Sequence, residues 1–454
     1  MPQPGVALEK LGFLTIGLFD GDNPGAGHQA TLETIALGER LGFDSAWVRH
    51  RHLQYGISSP VAVLAAASQH TSRIELGTAV IPLGWENPLR LAEDLATVDV
   101  LSGGRLNPGV STGAPRHWDD VRGALYPGSG EAEDFSYERV TRLLRFVAGE
   151  PAVTFRGTEG FEQFSDRVEP HSPGLRSRMW YGGASLASAR WAGQHAMNLL
   201  TSSVVRAEES EDFAAVQLSH IRAFREAHPA GQAARVSQGL VVIPTDSATA
   251  AQRARYKAYV AARAPRTAVP LGPERMMFAR DLTGPSAEIA DSLYAHAAFR
   301  EVTEVAFALP FTFEWDDYAQ ILTDIAEKLG PALGWQPRSW LPEVRGCRGC
   351  SLSTTRRRQP CGRCSKLLWP VRVTLNSPKR GSTSWSPRPW PRPLLTCSPR
   401  TRSCSARRRT SATCPARSST SSTRSTTRAS TPRPGRPMGS TCTGPATPRA
   451  RCAR

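Results

Sequence analysis

The first 340 residues contain no cysteine; all nine cysteines, from Cys347 to Cys452, fall in the last 114 positions. The body therefore needs no disulfide, which suits a reducing compartment and gives a cytoplasmic protein as the expectation. No run of about 18 apolar residues occurs, so no membrane span is expected. The opening MPQPGVALEK lacks a basic segment followed by an apolar core, so no secretory signal is expected either. The last 114 residues lack something else. They hold one acid, Glu343, against 23 Arg and two Lys, and ten Leu and Val with no Ile or Phe. That is too little apolar material to bury a core. Setting them aside leaves 31 basic and 39 acidic residues in 1–340, a net charge of −8 against +24 for 341–454.

The chain is thus read as a globular domain, 1–340, and a low-complexity segment, 341–454. Three readings of that segment are open. Out-of-frame translation of GC-rich DNA is favoured, because the switch is abrupt and follows a segment that reads as the finished end of a domain. A disordered basic tail would bind polyanions without sequence specificity and lose them steeply with salt. A zinc ribbon on Cys347, Cys350, Cys361 and Cys364 has the paired C-x-x-C form but no apolar residues to pack round a metal.

The body alternates apolar strands with amphipathic helices. Strands are expected at 13–19, 45–48, 74–81, 106–110, 178–183, 197–203, 235–244 and 304–310. Helices are expected at about 29–41, from Ser59, from Asn87, near 136–148, from about Ser185, then at 208–227, 246–262, 285–298 and 314–329. Ser59 with Pro60, and Asn87 with Pro88, have the form of an N-cap followed by proline in the first turn. Gly42 and Gly103–Gly104 stand as stops. Eight strand–helix units in order predict a (β/α)8 barrel, since parallel strands need helical crossovers and a closed ring leaves no edge. A doubly wound sheet is the rival, opposed by the lack of G-x-G-x-x-G after the first strand.

In such a barrel the reactive groups sit after the C-terminal ends of the strands. WVRHRHLQYG, residues 47–56, occupies that place after strand two. His50 and His52 are two positions apart and face one side in extended backbone. A metal pair would want further ligands at later strand ends, and strands six and eight offer only Thr201, Ser202, Ser203 and Leu309, Pro310, Phe311, so no metal is expected. Gly77, Thr78 and Ala79 bring small residues to the mouth and leave room for a flat ring. WYGGASLASARWAG, residues 180–193, runs from a strand through two glycines into a helix start, a place where N–H groups can hold a phosphate. The segments 114–135 and 263–284 are expected to cover the pocket.

Four stretches together, LGERLGFDSAWV, SPVAVLAAASQHTSRIELGTAVIPL, NPLRLAEDLATVDVLSGGRL with GVSTG, and WYGGASLASARWAG, resemble the luciferase-like monooxygenase superfamily of flavin- and deazaflavin-dependent barrels. The resemblance runs through most of 11–337. It implies a non-prolyl cis peptide between Ala79 and Val80, against the cofactor ring, with Thr78 beside it. It places the phosphate end at Gly183, Ala184, Ser185 and Leu186, and the lining of the cofactor cleft at Ser111 and Thr112. The strand-two loop departs from the family pattern of an acid followed by one or two histidines. Here His50 stands at the acidic position, Arg51 at the first His and His52 at the second. Arg51 cannot serve as a base near neutral pH, which leaves two alternatives for the catalytic set His50, Arg51 and His52: His52 or His50 takes over proton transfer, or Arg51 stabilises a reduced, anionic flavin or a peroxide oxygen. The resemblance implies an enzyme that uses reduced FMN and O2 on a small organic substrate, supplied by a separate flavin reductase, with F420-dependent hydride transfer as the alternative and a homodimer as the assembly. A non-catalytic polyanion-binding protein, acting through its basic tail, is the rival from another class.

Overall fold

A computed structural model describes residues 2–337. The readings of 341–454, whether disordered tail or zinc ribbon, lie outside the described residues. No described helix is long and apolar enough to cross a membrane.

Ten short strands form one parallel sheet: β1 (Lys10–Thr15), β2 (Ser45–Val48), β3 (Glu75–Thr78), β4 (Ile81–Pro82), β5 (Leu106–Asn107), β6 (Gly109–Ser111), β7 (Trp180–Gly183), β8 (Asn198–Thr201), β9 (Val236–Gln238) and β10 (Glu304–Ala308). They make eight staves, because β3 and β4 are halves of one, interrupted at Ala79–Val80, and β5 and β6 are halves of the next, interrupted at Pro108. β3 pairs with β5 and β4 with β6, and the ring runs on through β7, β8, β9 and β10 back to β1 and β2. The predicted (β/α)8 barrel is the architecture observed. Pro108 has no N–H to give the ladder. Thr78 patches the gap: its hydroxyl donates to the Gly109 carbonyl at 2.8 Å and accepts from the Gly109 N–H at 2.9 Å.

The caps hold as read. Ser59 accepts from the Ala62 N–H ahead of helix Pro60–His70, and Asn87 from the Leu89 and Arg90 N–H groups ahead of Pro88–Ser102. Gly103 ends the latter at φ 69°, a left-handed turn that a side chain would resist. Two strands differ from expectation. The first spans 10–15 rather than 13–19, because Gly17 turns the chain at φ 62°. The seventh ends at Gln238; Val242–Pro244 leaves the barrel and pairs with Leu282–Gly284. The helix expected at about 29–41 starts earlier, at Pro24, behind the cap Asn23.

Side chains alternate along the staves. On β2, Ala46 and Val48 face the helical shell, whereas Ser45 and Trp47 face inward, where the Trp47 indole N–H donates to Ser45 Oγ at 2.9 Å. The barrel is filled from its N-terminal end upward. At the bottom Lys10, Glu75, Arg235 and Glu304 form an ion network with contacts of 2.6–3.0 Å. Above it Trp47 and Trp180 meet edge to face at 5.3 Å, and Arg235 lies over the Trp180 ring. Only the C-terminal end stays open.

Candidate functional site

The opening is a cavity of about 550 Å³ at the C-terminal ends of the staves, within the usual range for a small-molecule or cofactor site. Trp47 and Leu200 stand at its floor. Ala79, Val80, Gly182, Gly183, Ala184, Ala306 and Ala308 form small-residue walls, and Phe278 and Phe311 come from the long loops. The Ala79–Val80 peptide is cis, as expected. The glycines are required for space: a Cβ on Gly182 would lie 2.8 Å from Val80 Cγ1. A flat ring system fits these walls.

The structure divides the expected site residues. His50, Arg51, Ala79, Val80, Ser111, Gly183 and Ala184 line the cavity. Thr78 does not: it is fully buried and its hydroxyl spans the break at Pro108. Thr112 ties the following loop down through the Phe135 and Ser136 carbonyls. Ser185 caps helix Leu186–Gln194 in a capping box with Ser188, and the Leu186 N–H donates to Glu208 Oε2 at 2.6 Å. A phosphate at that helix start would displace the Glu208 carboxylate. Ser202 and Ser203, after β8, line the cavity and offer further hydroxyls.

His52 turns aside from the cavity and stacks on Trp85, with ring centroids 4.0 Å apart, while remaining 4.1 Å from the His50 ring. His50 Nε2 lies 2.7 Å from the Ser58 carbonyl, so it carries the proton and leaves Nδ1 as a lone pair. His50 Nδ1 and His52 Nε2 are both buried without a partner. Glu86 completes the group: one ligand atom from each of His50, His52 and Glu86 falls within 4.8 Å of the others. Burial first, and then Asp94, push the Glu86 carboxyl up to about 7, with Arg139 opposing. Burial, then His52, pull the His50 imidazole down to about 4, with the Ser58 carbonyl opposing. Near neutral pH the histidines are neutral and Glu86 holds its proton much of the time. Three ligands at this spacing could hold a divalent cation, but Arg49 and Arg51 beside them oppose it. A shared proton suits the surroundings better.

The sequence reading missed Glu86, Arg49, Arg263 and Arg266. Arg49 lies inside the WVRHRH run itself. Arg266 and Phe278 belong to the stretch 263–284, which does cover the pocket, whereas nothing from 114–135 lines it.

The luciferase-like monooxygenase family matches residues 10–304. The chain belongs to that family. Among curated relatives, 4-hydroxyprotoasukamycin monooxygenase of Streptomyces nodosus subsp. asukaensis is 30% identical over 154 residues, covering 33% of this chain and 40% of the relative. An F420-dependent glucose-6-phosphate dehydrogenase of Intrasporangium calvum is 32% identical over 142 residues, covering 29% and 41%. The chain thus spans about two fifths of the length of these two relatives. Solved structures share the fold. Monooxygenase RslO1 from Streptomyces bottropensis superposes with a TM-score of 0.53 at 19% identity, covering 71% of this chain and 99% of that one. The oxygenating constituent of 3,6-diketocamphane monooxygenase from Pseudomonas putida, in complex with FMN, gives 0.51 at 15% identity, covering 72% and 99%.

Proposed function

We propose that this luciferase-like protein is a flavin-dependent oxidoreductase, a monooxygenase that uses reduced FMN and O2 on a small organic substrate. One observation carries the reading: a small-walled cavity at the stave ends, with arginines and a neutral histidine at its rim and no acidic side chain in its lining. Bound reduced flavin would supply the electrons and the oxygen chemistry. Ala79, Val80, Gly182 and Gly183 give it room, and Gly183, Ala184, Ser202 and Ser203 are the groups offered to its phosphate end. Arg51, a cation at neutral pH, offsets the negative charge of a reduced ring. His50 Nδ1 accepts or returns a proton, and Glu86 is the neighbouring store, reached through the His50–His52–Glu86 cluster. A homodimer and a separate flavin reductase belong to the same reading. F420-dependent hydride transfer is the second reading, favoured by the F420-dependent relative; the departure at His50 and Arg51 from the family's acid–His pattern weighs towards flavin.

The test is a titration of the full chain with FMN and, separately, F420, each oxidised and reduced. Micromolar binding of FMN, and substrate-dependent O2 uptake with reduced FMN, are expected. Binding of F420 alone would replace this reading with the second, and binding of neither would remove both.

A further inference from the structure

The cavity lining contains four arginines, Arg49, Arg51, Arg263 and Arg266, and no aspartate or glutamate. Arg263 is compensated. Its guanidinium holds both carboxylate oxygens of Asp281 and lies over the rings of Tyr259 and Phe311. The other three form no ion pair among the described residues. Arg266 stacks over Phe278 at 4.7 Å, and its buried Nε has no partner. Arg49 follows β2 directly, whereas Arg266 arrives from the turn Ala264–Thr267, so distant parts of the chain aim guanidinium groups at one cavity. Burial, then Arg51 and Arg266, bring the Arg49 pKa down to about 10, still well above neutral pH. Asp281, already held by Arg263, offsets only part of the burial and like charge that lower the Arg266 pKa, and converging like charges of this kind cost stability unless a ligand neutralises them.

We infer that Arg49 and Arg266 form an oxyanion subsite for the substrate, which is therefore a small organic acid, held by its carboxylate or an equivalent oxyanion. The inference rests on the cavity being the active site proposed above. The same chemistry could serve the phosphate of the cofactor. Ring order argues for the substrate at Arg49: Gly183 ends β7, Ala184 follows it, and Ser202 and Ser203 follow β8, which stand three and four staves from β2 in a ring of eight, across the cavity from Arg49. Arg266 stands nearer those hydroxyls, over Phe278, which pairs with Val204, so the variant at Arg266 is the one that tells substrate from cofactor phosphate. Paired guanidiniums also match the planar, two-oxygen geometry of a carboxylate.

The experiment uses the full chain, with benzoate, sulfate and inorganic phosphate as probes, each with and without FMN, read by calorimetric titration and thermal shift. Benzoate is expected to raise the melting temperature saturably, and to bind whether or not FMN is present. Arg49→Gln and Arg266→Gln should each weaken benzoate by about tenfold or more while changing the FMN dissociation constant less than about threefold; Lys at either position should retain part of the affinity. In anion-free buffer the Gln variants should melt above the parent, because repulsion is relieved, a result that misfolding could not give. Absence of saturable benzoate binding to the parent would overturn the inference. So would Gln variants that lose FMN as steeply as benzoate, since the cations would then serve the cofactor. A parent that binds benzoate but not FMN would sustain the subsite and sink the flavin reading.

Discussion

At the scale of single residues, the His50–His52–Glu86 cluster makes stability depend on pH in a way that can be signed. The Glu86 carboxyl titrates near 7 in the folded chain and, in the unfolded chain, close to its ordinary 4.5. The folded state therefore binds the extra proton between those values. The contribution is whole below about 4.5 and is lost as pH rises through 7. Glu86→Gln cannot ionise, so it should remove this slope and be more stable than the parent at pH 8, by a ceiling of about 3 kcal/mol. Urea denaturation of both proteins at pH 5 and pH 8 reads the difference directly. Equal pH dependence in the two would show that Glu86 is not a proton store. The sequence could not have disclosed this residue. Glu86 reads as an ordinary charge before a helix cap, and only the fold brings it under His50. His50 and His52 were readable as a pair by their spacing, but not the stacking on Trp85 that withdraws His52 from the cavity.

At the scale of elements, the barrel floor depends on a close approach that only glycine permits. A Cβ on Gly77, in β3, would lie 2.2 Å from Cε3 of the fully buried Trp47 on β2. A rigid indole wedged against Trp180 cannot yield by that much. Gly77→Ala should destabilise by about 2–4 kcal/mol and shift the tryptophan fluorescence. Gly123→Ala is the control. It sits within helix Trp118–Leu125 with nothing within 4 Å of its Cβ, and should stabilise by about 0.5–1 kcal/mol. If the two variants melted together, the packed floor would not be limiting. Elements were the level at which the sequence spoke most plainly. Ser59–Pro60 and Asn87–Pro88 announce helix starts because a cap and a proline act locally. The end of the first strand is not legible because Leu18 and Phe19 continue the apolar run beyond Gly17, whose left-handed backbone ends the strand. The excursion of Val242–Pro244 depends on a partner, Leu282–Gly284, that no local pattern names.

At the scale of the whole molecule, composition divides the chain near residue 340. The core of the described residues runs from Leu8 to Trp335, whose indole N–H donates to Asp44 Oδ2 at 2.8 Å and ties this part of the chain to the turn before β2. RslO1 is used up to 99% of its length by 71% of this chain. Six residues beyond Trp335 the composition changes from a net −8 to a net +24, and every cysteine lies beyond that boundary. We propose that 341–454 is out of frame, because a one- or two-base slip in GC-rich coding DNA would produce this abrupt vocabulary of Arg, Ser, Thr, Pro, Ala and Cys at once. Resequencing the gene across codons 335–350 should then reveal such a slip, and the intact mass of the protein purified from its native source should differ from 49.3 kDa. An unbroken frame with the full mass would overturn this proposal. The 24 surplus positive charges would then be a real polyanion-binding segment, and retention on heparin falling linearly with the logarithm of salt concentration would measure how many of them engage.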